Sequence, residues 1–228
     1  MTTTRGAAET VARAAMAART EELFRRAGAL REGHFRLKSG RHSDRYLEKF
    51  QVLQFPEITS ELCAMLAAFG RDAGGRVNVD VVAGPTTGGV ILAFETARQL
   101  GVRSLFAEEV RYAGDSRREF RRGFAIRPGE RVLLVDDILT TGGSLAAMLP
   151  AVERPGGEVQ RAVVLVDRSG GQERIVSTGS GRSYPLEALW RLELATWEAG
   201  EECTGCATGL PLEEPGSGGA AGPFGNAA

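Results

Sequence analysis

Cysteine, histidine and lysine are all scarce in this chain. Of 228 residues three are cysteine and two are histidine, and the lysines are Lys38 and Lys49, so arginine carries nearly every positive charge. An odd, small number of cysteines argues against a disulfide-built scaffold and for a reducing compartment, so a cytoplasmic location is expected. Apolar runs are short, residues 162–166 being typical, against roughly 20 residues needed to cross a bilayer. No membrane partner is expected. Excess charge is missing too: 28 Lys plus Arg against 29 Asp plus Glu leave a formal net charge of -1, which removes any global attraction to nucleic acid. What is present, 43% hydrophobic and 25% charged residues, suffices for one core in a single α/β domain.

Residues 1–19 are rich in Ala, Thr and Arg, which suits a transit peptide, but Glu9 interrupts the pattern and a helical arm fits as well. Residues 1–20 are therefore set apart as an N-terminal extension. Leu23, Phe24, Ala27 and Leu30 recur at helical spacing after Glu21 and Glu22, and Gly33 ends that helix. A short extended piece follows at 35–37, Ser39 and Gly40 mark a turn, and Pro56 opens a helix running to about Phe69. From there short β-branched runs alternate with helical lengths: strands at 79–83, 103–107, 132–135 and 159–166, helices at 88–100 and 144–153. That alternation predicts a parallel sheet with right-handed crossovers. Pro150 predicts a kink or an early helix end. Leu189, Trp190, Leu192 and Leu194 are expected in a late strand at an edge or in a smaller subsheet. Residues 111–122 are charged and lack an apolar period, so they read as a mobile loop. Residues 213–228 have almost no apolar bulk and are expected to be disordered.

The chemistry concentrates in VLLVDDILTTGGSL, residues 132–145, where an apolar strand runs into two acids and then a Thr, Gly and Ser-rich turn. Open α/β sheets place ligands at the carboxyl edge of their strands, so Asp136 and Asp137 are expected to face a crevice. Residues 140–144 offer backbone N–H groups, hydroxyls and unobstructed glycines at the positive end of a helix dipole, a cradle for a phosphate monoester. The G-x-x-x-x-G-K-[ST] pattern of a nucleotide triphosphate loop is missing. Two carboxylates beside such a cradle suit a ribose 5-phosphate, whose hydroxyls they can accept and whose developing positive charge they can offset.

This run resembles the 5-phosphoribosyl 1-diphosphate (PRPP) signature of the type I phosphoribosyltransferases. With GHFRLKSGRHS at 33–43, AGPTTGGV at 83–90 and VDRSGG at 166–171, the chain is similar to the orotate phosphoribosyltransferase family over residues 21–211. The resemblance implies an α/β, parallel-sheet, Rossmann-like type I core at 21–212 with a small N-terminal hood and a flexible C-terminal tail. It implies transfer of 5-phosphoribosyl from PRPP to orotate, Mg2+ as cofactor held mainly through PRPP with no side-chain ligands, and a homodimer. Asp136 and Asp137 would serve the ribose. The PRPP site would comprise Asp136, Asp137, Ile138, Leu139, Thr140, Thr141, Gly142, Gly143, Ser144 and Arg111. Orotate would meet Thr140, Arg168 and Lys38, with Tyr46 where the family places an aromatic over the base. Lys38 would also help the leaving pyrophosphate. The orotate carboxylate needs a planar cation, and Arg168 follows the strand at 159–166 to the same sheet edge.

The chain departs from the family in the loop that closes over the neighbouring subunit's active site. Arg111, Arg117, Arg118, Arg121 and Arg122 stand without lysine or histidine, Glu108 and Glu109 fall where basic residues align, and Thr87 and Gly88 replace a Tyr-Lys pair. The pyrophosphate contacts are thus open. A PRPP-binding regulator of the same fold, or a transferase for another nucleobase, are the alternatives. Cys203 and Cys206 form a lone C-x-x-C, expected as a surface thiol pair with an intersubunit metal site as the other reading; His34 and His42 are expected in packing or capping roles.

Overall fold

The computed structural model describes residues 2–37, 39–112 and 115–215. The chain opens with α1 (Thr2–Arg26), then β1 (Leu30–Arg36) and β2 (His42–Leu47), which pair antiparallel as a separate two-stranded sheet. The short α2 (Lys49–Leu53) leads into α3 (Pro56–Ala68). Then come β3 (Val81–Pro85), α4 (Gly88–Leu100), β4 (Arg103–Tyr112), β5 (Asp115–Phe120), β6 (Arg131–Leu139), α5 (Gly143–Glu153) and β7 (Glu158–Asp167). β8 (Arg174–Val176), β9 (Ser183–Arg191) and the one-turn α6 (Thr204–Ala207) complete it.

The main sheet has seven strands in the order β5-β4-β3-β6-β7-β9-β8. Its five central strands are parallel, while β5 and β8 run antiparallel at the edges. A sheet covered on both faces needs strands that are apolar on both, and β6 and β7 supply this. Successive side chains alternate between two cores. Val82, Leu133, Val135 and Val163 pack under α1, α3 and α4, whereas Val81, Leu134, Val132 and Val164 pack under α5.

The predicted α/β architecture holds, with four corrections of detail. The helix expected to run to Gly33 ends at Arg26, because Gly28 adopts φ 66° and the Ala29 amide donates back to the Phe24 carbonyl, closing the turn before β1. No boundary falls at residue 20: α1 runs through it, Thr20 is buried, and Met16 and Ala17 pack on the core. The 111–122 segment is an antiparallel hairpin continuing β4 into β5, its backbone paired from Ala107↔Phe120 to Tyr112↔Asp115. Its charges alternate across an edge ribbon, where ion pairs replace an apolar face. The late strand is interior: β9 lies between β7 and β8, pairing parallel with β7 through Leu186 and Ala188. The helix expected at 144–153 is α5, which carries Pro150 inside it and ends at Glu153 with Leu145, Met148, Leu149 and Val152 buried.

The expected disorder from residue 213 also yields in part. Glu213 bridges to Phe35 of β1, its amide donating to the His34 carbonyl while its carbonyl accepts from the Arg36 amide. Arg31 and Arg36 pair with the Glu213 and Glu214 carboxylates. Residues 216–228, the rest of that segment, lie outside the described residues. The hood is thus not N-terminal alone: Trp197 pairs with His42 on β2 through both backbone hydrogen bonds, so the C-terminal chain brackets the β1–β2 hairpin from both sides.

Candidate active site

β6 carries its apolar run to the carboxyl edge of the sheet and ends in two acids. Neither faces an open crevice as expected: Asp136 and Asp137 are 8% and 2% exposed. Being successive on a strand, they leave it toward opposite faces. Asp136 Oδ1 accepts from the Asp137 amide at 2.9 Å. Burial first, and the neighbouring Asp137 carboxylate second, push the Asp136 carboxyl up to about 7, against the opposing pull of Lys49 and Arg118. Asp137 is held differently. Its Oδ1 accepts from Lys49 Nζ at 3.0 Å and from the Ile138 amide at 2.7 Å, while its Oδ2 is buried with no hydrogen-bond partner among the described residues.

That orphaned oxygen lies against Gly88, where a Cβ would sit 1.9 Å from it. A Cβ at 88 would force the Asp137 carboxylate to move. Lys49 is a site residue that sequence reasoning overlooks. The signal is available, since it is one of two lysines in an arginine-rich chain.

Beyond Leu139 the chain turns through Thr140, Thr141 and Gly142 into α5. Gly142 takes φ 76° at the helix N-cap, and a Cβ there would meet Ile175 at 2.9 Å. The amides of Thr141, Gly142, Gly143 and Ser144 donate to no described residue. Unpaired amides at a helix start form an anion-binding concavity. Among the described residues these donors are free rather than spent within the chain.

The β4–β5 hairpin folds one arginine back to this loop. Arg118 donates to Thr86 Oγ1 at 2.9 Å and approaches Ser144 Oγ at 3.4 Å, linking the 84–89 turn to the start of α5. Arg111 lies on the same face of the ribbon, one rung nearer the tip, but its side chain is 84% exposed and leans on Glu109 at 3.8 Å. The structure thus brings Arg118, not the expected Arg111, to the loop within one chain. Glu108, out of place by family pattern, is spent on Arg122 at 2.6 Å.

Arg168 emerges at the end of β7, its amide bonded to the Leu139 carbonyl at 2.8 Å, so it stands beside the β6 loop. Its guanidinium pairs with no acid among the described residues; the adjacent Asp167 is occupied by Ser169 and, at 3.8 Å, by Arg191. Burial lowers the Arg168 pKa from its ordinary value. The half-buried Tyr46 of β2 lies within its electrostatic reach, and burial raises the phenol. An unpaired, partly desolvated guanidinium is a receptor for a planar anion. Lys38 lies outside the described residues; on either side of it the Leu37 amide donates to the Arg41 carbonyl at 2.8 Å.

The lone thiol pair is not a surface feature. Cys203 is 1% exposed, and both cysteines meet His34 and His42, which are buried at 5% each, inside the hood of a single chain.

The sheet order, the acid pair and the unpaired loop define a phosphoribosyltransferase, and a family model described as the phosphoribosyl transferase domain matches residues 52–180. The chain is 44% identical over 196 residues to the orotate phosphoribosyltransferase of Caldicellulosiruptor bescii, covering 86% of this chain and 95% of that one. It is 47% identical over 195 residues to that of Pelotomaculum thermopropionicum, covering 86% and 94%. Among solved structures, the orotate phosphoribosyltransferase of Aeropyrum pernix aligns with a TM-score of 0.59 at 26% identity, covering 75% of this chain and 92% of that one. The chain belongs to the orotate phosphoribosyltransferase family.

The raised Asp136 has a consequence for stability. Its folded pKa of about 7 exceeds the ordinary 3.8, so the folded chain binds this proton more tightly than the unfolded chain. Its contribution is full below the lower value and is lost as pH rises through the upper one. Relative to Asp136→Asn, the wild type should lose unfolding free energy between about pH 4 and about pH 7. Urea denaturation across that range reads the slope; a constant difference between the two proteins contradicts it.

Proposed function

We propose that this enzyme transfers the 5-phosphoribosyl group of PRPP to orotate, giving orotidine 5-monophosphate and pyrophosphate in pyrimidine biosynthesis. The single observation that carries the substrate assignment is Arg168, a partly buried guanidinium without an acid partner beside the phosphate loop. The named activity of the sequence relatives supports the same choice over a regulator or a transferase for another base.

The free amides at 141–144 and the hydroxyls of Thr140, Thr141 and Ser144 hold the 5-phosphate. Asp137 Oδ2, buried and unpartnered, accepts from a ribose hydroxyl, with Lys49 and the Ile138 amide fixing its rotamer. Asp136 serves the neighbouring hydroxyl, and Ile138 and Leu139 position the loop. As the bond from C1 to the pyrophosphate oxygen breaks and the bond from C1 to the orotate N1 forms, positive charge grows on the sugar ring. The Asp137 carboxylate is prepositioned to offset it. Arg168 and Thr140 orient orotate with N1 toward C1, and Tyr46 covers the ring. Arg118, with Lys38 and Arg111 from the hood turn and the hairpin, balances the charge of the departing pyrophosphate.

Mg2+ fits this donor set as a companion of PRPP: the orphaned Asp137 oxygen offers an anionic contact to a metal-bearing sugar diphosphate. When bound it neutralises part of the diphosphate charge. We read the compartment as cytoplasmic from the three unbridged cysteines. Among the described residues no helix is long and apolar enough to cross a membrane.

A homodimer completes the reading. Phe50, Phe55, Ile91 and Phe94 are 47%, 40%, 41% and 64% exposed, and Phe94 lines an apolar groove of about 970 Å³ between α3 and α4. Such a patch is large for a free surface and suits a second copy of the chain.

Mixing protein, Mg2+, PRPP and orotate should deplete the ultraviolet absorbance of orotate; no depletion with folded protein sinks the assignment. In the same assay Arg168→Ala should retain its fold and lose about 2 to 5 kcal/mol of transition-state binding, roughly 30- to several-thousand-fold in kcat/KM for orotate. Arg118→Ala should raise KM for PRPP more than that for orotate, and an unchanged PRPP saturation curve removes it from the site. Phe94→Glu should shift the sedimentation coefficient from dimer to monomer; an unaltered coefficient argues for a different interface.

A further inference from the structure

All of the chain's histidines and two of its three cysteines converge on one point far from the phosphate loop in sequence. His34 comes from β1, His42 from the start of β2, Cys203 from the N-cap of α6 and Cys206 from within that helix. One nitrogen or sulfur of each lies within 4.8 Å of every other. We propose that this cluster is a structural zinc site that ties the C-terminal chain to the hood.

The four sulfur-to-nitrogen distances are those of a tetrahedron. Zn–S bonds of about 2.3 Å and Zn–N bonds of about 2.0 Å separate S and N ligands by about 3.5 Å. Cys203 Sγ lies 3.5 Å from His34 Nε2 and 3.7 Å from His42 Nδ1; Cys206 Sγ lies 3.6 and 3.3 Å from the same atoms. The two nitrogens are 2.8 Å apart, a separation that opens by about half an ångström when both rings turn to a shared metal. His34 Nδ1 is 2.9 Å from the Leu210 carbonyl. Donation there leaves the Nε2 lone pair facing the two sulfurs, the usual way a ligating imidazole is oriented from behind. Gly205 permits the approach, since a Cβ at that position would sit 2.3 Å from His34 Cγ.

Packing alone does not account for all four side chains. A hydrogen bond between the imidazoles satisfies two nitrogens and gives the sulfurs no role, although Cys203 is buried. The thiols are unbridged. Two thiolates and two imidazoles in a tetrahedron select zinc over oxygen-preferring Mg2+ or Ca2+. The ion would close a loop from residue 34 to residue 206 and brace β1 and β2 against the C-terminal chain. This role is independent of which base the enzyme uses.

The full chain, purified without chelator, should contain one zinc per chain by plasma mass spectrometry. Replacing zinc with cobalt should produce the intense visible absorption and thiolate charge-transfer band of a tetrahedral site. An organomercurial should release zinc from the folded wild type, which keeps the test valid even where variants fold poorly. The Cys203→Ser, Cys206→Ser double variant should lose the metal, whereas Cys63→Ala should retain it. Wild-type protein without zinc and without the cobalt spectrum, iron at the same stoichiometry, a Cys203–Cys206 disulfide, or full zinc retention by the double variant would each overturn the proposal.

Discussion

The site is organised by a carboxylate that the chain buries and only half satisfies. Asp137 spends one oxygen on Lys49 and the Ile138 amide and leaves the other without a partner. An unsatisfied buried acceptor carries a desolvation cost of a few kcal/mol, on the order of 1 to 3, and a donor on the ligand offsets it. Much nearby follows from that arrangement. Position 88 has no room for a Cβ, α4 begins there, and α2 supplies Lys49 as the compensating cation.

Asp136 and Asp137 share burial but not environment. Desolvation and its neighbour's charge favour the neutral form of Asp136, whereas Asp137 has an ammonium at 3.0 Å. Two like charges side by side on one strand are tolerated because one is held back from ionising and the other is paired. The loop that follows needs no such compensation. Its amides wait at the start of α5, and the nearest cation, Arg118, is already committed to Thr86 and Ser144.

The hood is a composite of both ends of the chain. β1 and β2 form a two-stranded sheet too small to be stable alone. Trp197 and Glu213 extend it on either side through backbone pairing, and side chains of His34, His42, Cys203 and Cys206 converge beside it. Tyr46 on the same hairpin lies within electrostatic reach of Arg168 at the end of β7, so the hood and the carboxyl edge of the main sheet meet there.

The parallel core, the acid pair at the end of β6 and the glycine-rich turn were legible in the chain because each is encoded by contiguous residues whose period or turn chemistry is local. The β4–β5 hairpin was not: its charges mask the alternation, and only the antiparallel register of Glu109 with Arg118 shows which arginine turns inward. Lys49, Gly88 and the His34, His42, Cys203 and Cys206 cluster owe their meaning to neighbours up to 172 residues away. Sequence by itself determined the strand that delivers two carboxylates to a phosphate cradle. Tertiary structure alone decided which oxygen stays unpaired, which guanidinium reaches the cradle and which scarce ligands meet, because those depend on distances closed by folding rather than on spacing along the chain.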